Sequence, residues 1–206
     1  MCVATFLMLR TIIGYAGFSS TYGFLAQKQA YLDNKVWLLA FYTHVFTSLF
    51  TLAAGFTQFS KPIQRNYKRL HRTVGKMYVI AVLFINVPAG FIMAIYANGL
   101  LPGKTAFLVL DCLWFFFTYK GWRAAMQKDF RSHEQWMIRS YALTFSAITL
   151  RTWRTLLAPF VPDPLTLYMI DAWMGFVPNL LFAEWLIRKR KAAKNSAVKT
   201  YHESKE

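Results

Sequence analysis

The chain has 206 residues, 56% of them hydrophobic and 18% aromatic, with a mean hydropathy of +0.29 and a formal net charge of +15. Charged residues make up 16%, below the ~25% of an ordinary soluble domain, and the apolar residues fall in long runs; a soluble nucleic-acid binder and an intrinsically disordered chain are both excluded. The two cysteines, Cys2 and Cys112, form no disulfide framework, and no Cys-x-x-Cys pair or Cys/His cluster marks a structural metal. The expected class is all-α, a polytopic transmembrane helix bundle over residues 1–188 followed by a basic tail at 189–206.

A hydrocarbon core of about 30 Å takes roughly 20 mostly apolar helical residues. Windows of that kind predict six spans, at 3–26, 37–59, 74–97, 105–122, 136–157 and 165–187. The N-terminal segment has neither a basic n-region nor a small-residue cleavage site, so it reads as a retained segment rather than a signal peptide. Arg10 and a Gly/Ser/Thr-rich second half make it the least apolar of the six. Asp33-Asn34 opens the second span, which carries Thr43, Thr47, Thr51 and Gly55 at four-residue spacing beside His44 and Ser48, a ladder of small residues for close helix approach. Leu101-Pro102-Gly103 separates the third span from the fourth. Ser132 with Gln135 forms a capping box that starts the fifth helix near His133. That helix repeats the small-residue device with Ser140, Thr144 and Ala147, and Pro159, Pro162 and Pro164 divide it from the sixth.

Charge placement sets the expected orientation. Six spans bring both termini to one face, where eighteen of the 24 Lys and Arg residues collect; Lys28, Lys35, Lys104, Arg151 and Arg154 fall on the other face, and Arg10 lies within the first span. This bias puts both termini in the cytoplasm and the protein in the inner membrane, with the tail drawn to the anionic cytoplasmic leaflet and no nucleic-acid role. Trp37, Trp122, Trp136, Trp153 and Trp185 stand near span ends, as an aromatic belt does.

Ionisable groups inside spans are costly and mark pairing or function. Arg10, Arg139 and Glu184 fall toward the cytoplasmic third, and His44, Asp111, Arg151 and Asp171 toward the outer third. The simplest pairing joins Glu184 to Arg139, and Asp171 or Asp111 to Arg151. His71 and His133 stand at the cytoplasmic starts of the third and fifth helices, where the helix dipole keeps an imidazole neutral and available to a metal. The lead reading is therefore a b-type haem or metal redox module, with His71 and His133 as axial ligands, Arg72 and Arg139 beside the propionates or lipid headgroups, and Phe116, Phe117, Trp136 and Tyr141 as walls. The alternative is a small transporter or a lipid- or small-molecule-binding membrane protein built on His44, Asp111, Arg151, Asp171 and Glu184. A third reading is a structural membrane partner. Either a redox partner or a second copy of the chain suits such a module, and no residue is assigned a catalytic role.

Several strings then cohere: Phe41-Tyr42-Thr43-His44; Leu70-His71-Arg72 with Gly75 and Tyr78; His133 with the run from Trp136 to Thr144; Thr149-Leu150-Arg151; Val177-Pro178-Asn179-Leu180; and Glu184-Trp185. Together they resemble a bacterial family of predicted multi-pass membrane proteins described as a domain of unknown function. The resemblance covers about residues 37–188 and is most specific from His133 to Arg151. It implies an integral membrane protein with no established reaction, and His44, His71, Arg72, His133, Arg139 and Arg151 as matching motif positions. The chain departs from that pattern in lacking a proline after Gly55 and in carrying Glu134 where a basic residue is expected, and its Arg10-containing first helix is atypical.

Overall fold

A computed structural model of the chain describes residues 2–203, whose regular structure is helical. In chain order the α-helices are α1 (Cys2–Tyr15), α2 (Lys35–Gln58), α3 (Lys61–Asn66), α4 (Lys68–Ile80), α5 (Val87–Ile95), α6 (Leu100–Met126), α7 (Phe130–Thr144), α8 (Ser146–Leu157), α9 (Pro164–Met174) and α10 (Val177–Glu203). A π-helical turn, Ala81–Asn86, joins α4 to α5, and two 3-10 turns, Gly23–Gln27 and Gln29–Tyr31, lie between α1 and α2.

Four helical stretches are long and apolar enough to cross a membrane: Lys35–Gln58, Lys68–Ile95, Leu100–Met126 and Pro164–Ala193. They coincide with the second, third, fourth and sixth expected spans. The first expected span holds only the 14-residue α1, about 21 Å long. Beyond it the Gly/Ser/Thr-rich residues leave the α-helix, and Phe18 and Gly23 take left-handed backbone conformations. The fifth is divided at Phe145 into α7 and α8. Large apolar side chains cover the outside of the bundle, among them Ile80, Phe84, Phe91 and Ile95 on the α4–α5 rod and Leu181, Phe182 and Trp185 on α10. An apolar exterior of that extent is at home in lipid.

Caps fix several boundaries. Asn34 accepts the Trp37 N–H and starts α2, as its place in the sequence suggests. Asp129, not Ser132, caps α7: its carboxylate accepts the Ser132 N–H, so the helix begins at Phe130, three residues before His133. Leu101-Pro102-Gly103 does not separate two helices but lies in the first turn of α6, where a missing proline N–H costs nothing; the reversal is made one step earlier by Gly99, at φ +83°. The basic residues after Arg188 continue α10 rather than leaving it.

Contacts in sequence order give the helix directions. Met8 and Ile12 pack on Leu52, while Tyr15 meets Phe41, so α1 runs antiparallel to α2. Along the pair formed by α7–α8 and α9–α10, Glu134 bonds Arg190, Arg139 bonds Glu184, and Asn179 bonds Ala142 and Thr149, again an antiparallel run. The breaks in these two rods face each other. The Asn179 amide donates to the carbonyls of Ala142 (3.1 Å) and Gly175 (3.1 Å), and the Thr149 hydroxyl donates to Gly175 at 2.5 Å. These polar side chains occupy carbonyls beside the broken α-helical ladders, the usual physical basis of a kink.

The small-residue ladder of α2 works at one rung above all. Gly55 makes room for the ring of Tyr141 on α7, and the Tyr141 hydroxyl donates to the Leu52 carbonyl at 2.7 Å. Thr47 and Thr51 bond carbonyls of their own helix instead. Deeper in the core a chain of hydroxyls joins three rods: Thr144 to Tyr78 (2.7 Å), Tyr78 to Ser140 (2.8 Å), Ser140 to Thr118 (2.7 Å), with Thr118 donating to the Trp114 carbonyl (2.7 Å).

Candidate functional site

A cavity of about 450 Å³ lies among α1, α2, α5, α6, α8 and α9. Its wall brings together three of the residues singled out by sequence, His44, Asp111 and Arg151, and adds Lys28 and Arg154. The remainder is largely apolar and aromatic, including Tyr15, Trp37, Phe41, Phe107 and Trp114.

His44 owes its setting to the π-helical turn. Pro88 has no N–H to return to the carbonyl of Phe84, so the regular ladder is already interrupted there. The His44 Nδ1–H donates to the carbonyl of Asn86, 3.0 Å away. Ser48 donates to the Asn86 side-chain oxygen at 3.1 Å, and the fully buried Asn86 amide nitrogen has no partner. Asp111, 4% exposed on α6, depends on a glycine: a Cβ at Gly90 would stand 2.8 Å from both of its carboxylate oxygens.

Arg151 and Arg154 occupy successive turns of α8. Arg151 bends back to the Ala147 carbonyl at 2.5 Å rather than toward an acid. Among the described residues the ion pairs are Arg139–Glu184 and Arg190–Glu134, so the expected pairing of Arg151 with Asp171 or Asp111 is not formed. Asp171 is buried, with both carboxylate oxygens lacking a hydrogen-bond partner; Ala172 and Gly175 reach the cavity wall, whereas Asp171 does not. Glu184 pairs with Arg139 away from the cavity, as expected from the sequence.

One end of the cavity is closed by residues 23–28, of which Gly23, Phe24, Gln27 and Lys28 line it. The Phe24 N–H donates to the Tyr15 hydroxyl at 2.9 Å. Lys28, 2% exposed, donates through Nζ to the Tyr96 carbonyl and to the Asn98 side chain (2.6 Å), with the ammonium 4.9 Å from the Tyr31 ring centre. Burial, and then the repulsion of Lys104, lower its pKa from 10.5 to about 8. Sequence reasoning missed Lys28, Arg154 and Asn86 as parts of this site. Only Asn86 had a readable signal, an amide two residues before Pro88 inside an apolar run.

At the opposite end stand His71 and His133, neither of which lines the cavity. The Nδ1 of His133 bonds the Gly121 carbonyl at 2.8 Å, and the Nδ1 of His71 is buried without a partner. His133 is close enough for its charge to act on the His71 ring. Arg72 is exposed, and Arg139 is held by Glu184 while stacked 4.7 Å from the centre of the Trp136 ring. Trp136 in turn lies against Phe116 and Phe117. Among the described residues no three His, Cys, Asp or Glu side chains gather as a metal site.

Comparison with curated proteins and with solved structures gives no match. Residues 41–187, more than half of the chain and inclusive of His44, His71, Asp111, His133 and Arg151, match the family described as predicted membrane protein DUF2306, a domain of unknown function, and the chain belongs to that family.

Proposed function

We propose that the protein holds a small molecule inside the membrane, in the cavity bounded by His44, Asp111, Arg151 and Arg154. The observation that carries this reading is the cavity itself: at about 450 Å³ it falls in the ~300–1,000 Å³ range of ligand pockets, mostly apolar with a few convergent polar groups. The interrupted helices favour it further. Irregular backbone at membrane depth is stable where it is buried or lines a cavity, and transport proteins bind substrate at such breaks. Gly175 of the α9–α10 break and Thr144 and Ser146 of the α7–α8 break line this one.

The same reading places six crossings in the inner membrane with both termini cytoplasmic. The antiparallel courses of α1 beside α2 and of α7–α8 beside α9–α10 support two crossings beyond the four long apolar stretches, and the basic residues at one end support the orientation. Native mass spectrometry of the purified protein tests the binding. A small molecule should leave with the wild-type chain and be absent from Ala94→Leu, which adds volume at a cavity-wall residue only 2% exposed. Identical spectra from two equally folded proteins would overturn the reading.

The inner-end histidines support a second reading, the b-type haem module. His133 has its Nδ1 fixed by a backbone carbonyl, the arrangement that orients a ligating imidazole, and the His71 ring has an unpartnered buried nitrogen. Protein produced with haem supply should then show a Soret band that moves on reduction and is lost in His71→Ala or His133→Ala. A colourless folded preparation would dismiss it.

A further inference from the structure

We propose that the ligand of the cavity is an amphipathic anion: a single carboxylate or phosphate head held by Arg151 and Arg154, with an apolar tail running inward along α1 and α2. This rests on the binding reading above and specifies the chemistry of that site. Arg151 and Arg154 bring to the cavity guanidinium charge that no ion pair meets; Asp171, behind the wall, is near enough for Arg154 to act on it but is not bonded to it. Arg151 and Arg154 both line the cavity, on successive turns of one helix, and neither lies within ion-pair distance of a carboxylate among the described residues. An arginine within a membrane-spanning bundle is costly unless an anion or a set of acceptors meets it. Arg151 finds the Ala147 carbonyl alone, one acceptor for a guanidinium with five N–H groups.

The other polar groups of the cavity do not supply the missing anion. Lys28 is a further cation, with two of its three donors engaged by Tyr96 and Asn98 and its ammonium over the Tyr31 ring. Asp111 stands on the α6 wall, beside Gly90, and forms no ion pair. The guanidiniums stand on α8, so an anionic head is drawn to that wall of the cavity. On the side away from Lys28 the lining combines Met8 and Ile12 of α1 and Leu143 of α7 with uncharged hydroxyls of Ser48, Thr51, Thr144 and Ser146, which suits a tail and offers no further cation. Guanidinium forks match carboxylate and phosphate geometry equally, so a free amphiphile and a bilayer lipid share the recognisable feature.

Titration of the whole protein in nanodiscs of zwitterionic phosphatidylcholine tests this, with dodecanoate, dodecyl phosphate and uncharged dodecanol as probes. The two acids should bind, and dodecanol should bind at least about tenfold more weakly. The double variant Arg151→Gln/Arg154→Gln should lose that preference, and Arg151→Lys, which keeps the charge, should retain part of it. Displacement of dodecanoate when phosphatidylglycerol is added would support the same chemistry with a bilayer lipid as its source. Equal binding of acid and alcohol, blocked by Ala94→Leu but indifferent to the arginines, would overturn the proposal and leave the cavity reading intact. If no probe binds and no molecule leaves with the purified protein, both readings fall together.

Discussion

Tyr78 concentrates more polar contact than any other core side chain described above. Its hydroxyl lies within 2.8 Å of Ser140 and 2.7 Å of Thr144, and the Trp114 indole points toward it at 3.5 Å. With Ser140 and Thr118 at 0% exposure, no water is at hand to replace a lost partner. Tyr78→Phe should therefore lower stability by about 1 kcal/mol, read as a shift in the midpoint of denaturant unfolding in detergent. Lys28 acts differently, through pH. Its pKa of about 8 in the folded protein is below the ordinary 10.5, so the unfolded chain binds more protons in that interval. The contribution of Lys28 to stability accordingly rises as pH rises from about 8 to 10.5, and Lys28→Met should flatten that part of the stability profile.

The helix elements were legible to different degrees, and the reasons are local. Asn34 announced the start of α2 because an amide before an apolar run has one strong use, as a cap. Ser132-x-x-Gln135 misled by three residues because Asp129, a competing cap, stood just upstream. Nothing in the sequence marks Phe145 as a break: the cause is Asn179 and Thr149, brought from and to another rod by tertiary packing. Asn179→Leu removes the donor shared by both breaks. It should straighten neither rod but loosen their contact, giving faster hydrogen exchange around Phe145 and Gly175 than in the wild type. At the start of α9 the Asp163 carboxylate accepts from the Thr166 hydroxyl and N–H, which hold its pKa below 3.8. The cap is present above that ordinary value and is lost as pH falls through the lower one, and Asp163→Asn should make the protection of the Thr166 amide independent of acid.

For the whole molecule, four of the six expected spans are helical stretches long and apolar enough to cross a membrane, two of them with a local break, whereas the first expected span holds a helix of 14 residues and the fifth is divided into helices of 15 and 12. The ion pair of Arg139 with Glu184 was legible from depth alone. The absence of an acid partner for Arg151 was not, since depth brings charges to one level without saying which way a long side chain turns. Six crossings with cytoplasmic ends predict the outcome of labelling single cysteines placed in a background without Cys2 and Cys112. A membrane-impermeant thiol reagent should reach position 33 from outside intact cells and position 128 only after the membrane is opened. Labelling of both positions from outside would refute that topology.

The turn at Ala81–Asn86 sets the rotational phase of everything beyond it. A π-helical turn accommodates one residue more than the α-helical ladder, and each residue turns an α-helix by about 100°. Winding the same residues as one regular α-helix from α4 to α5 would swing α5 through about that angle. Gly90 would then leave Asp111, and a side chain would arrive in its place. The carbonyl of Asn86 would return to the helix ladder and release His44. The winding of this segment is thus as much a determinant of the cavity as the identity of any side chain lining it.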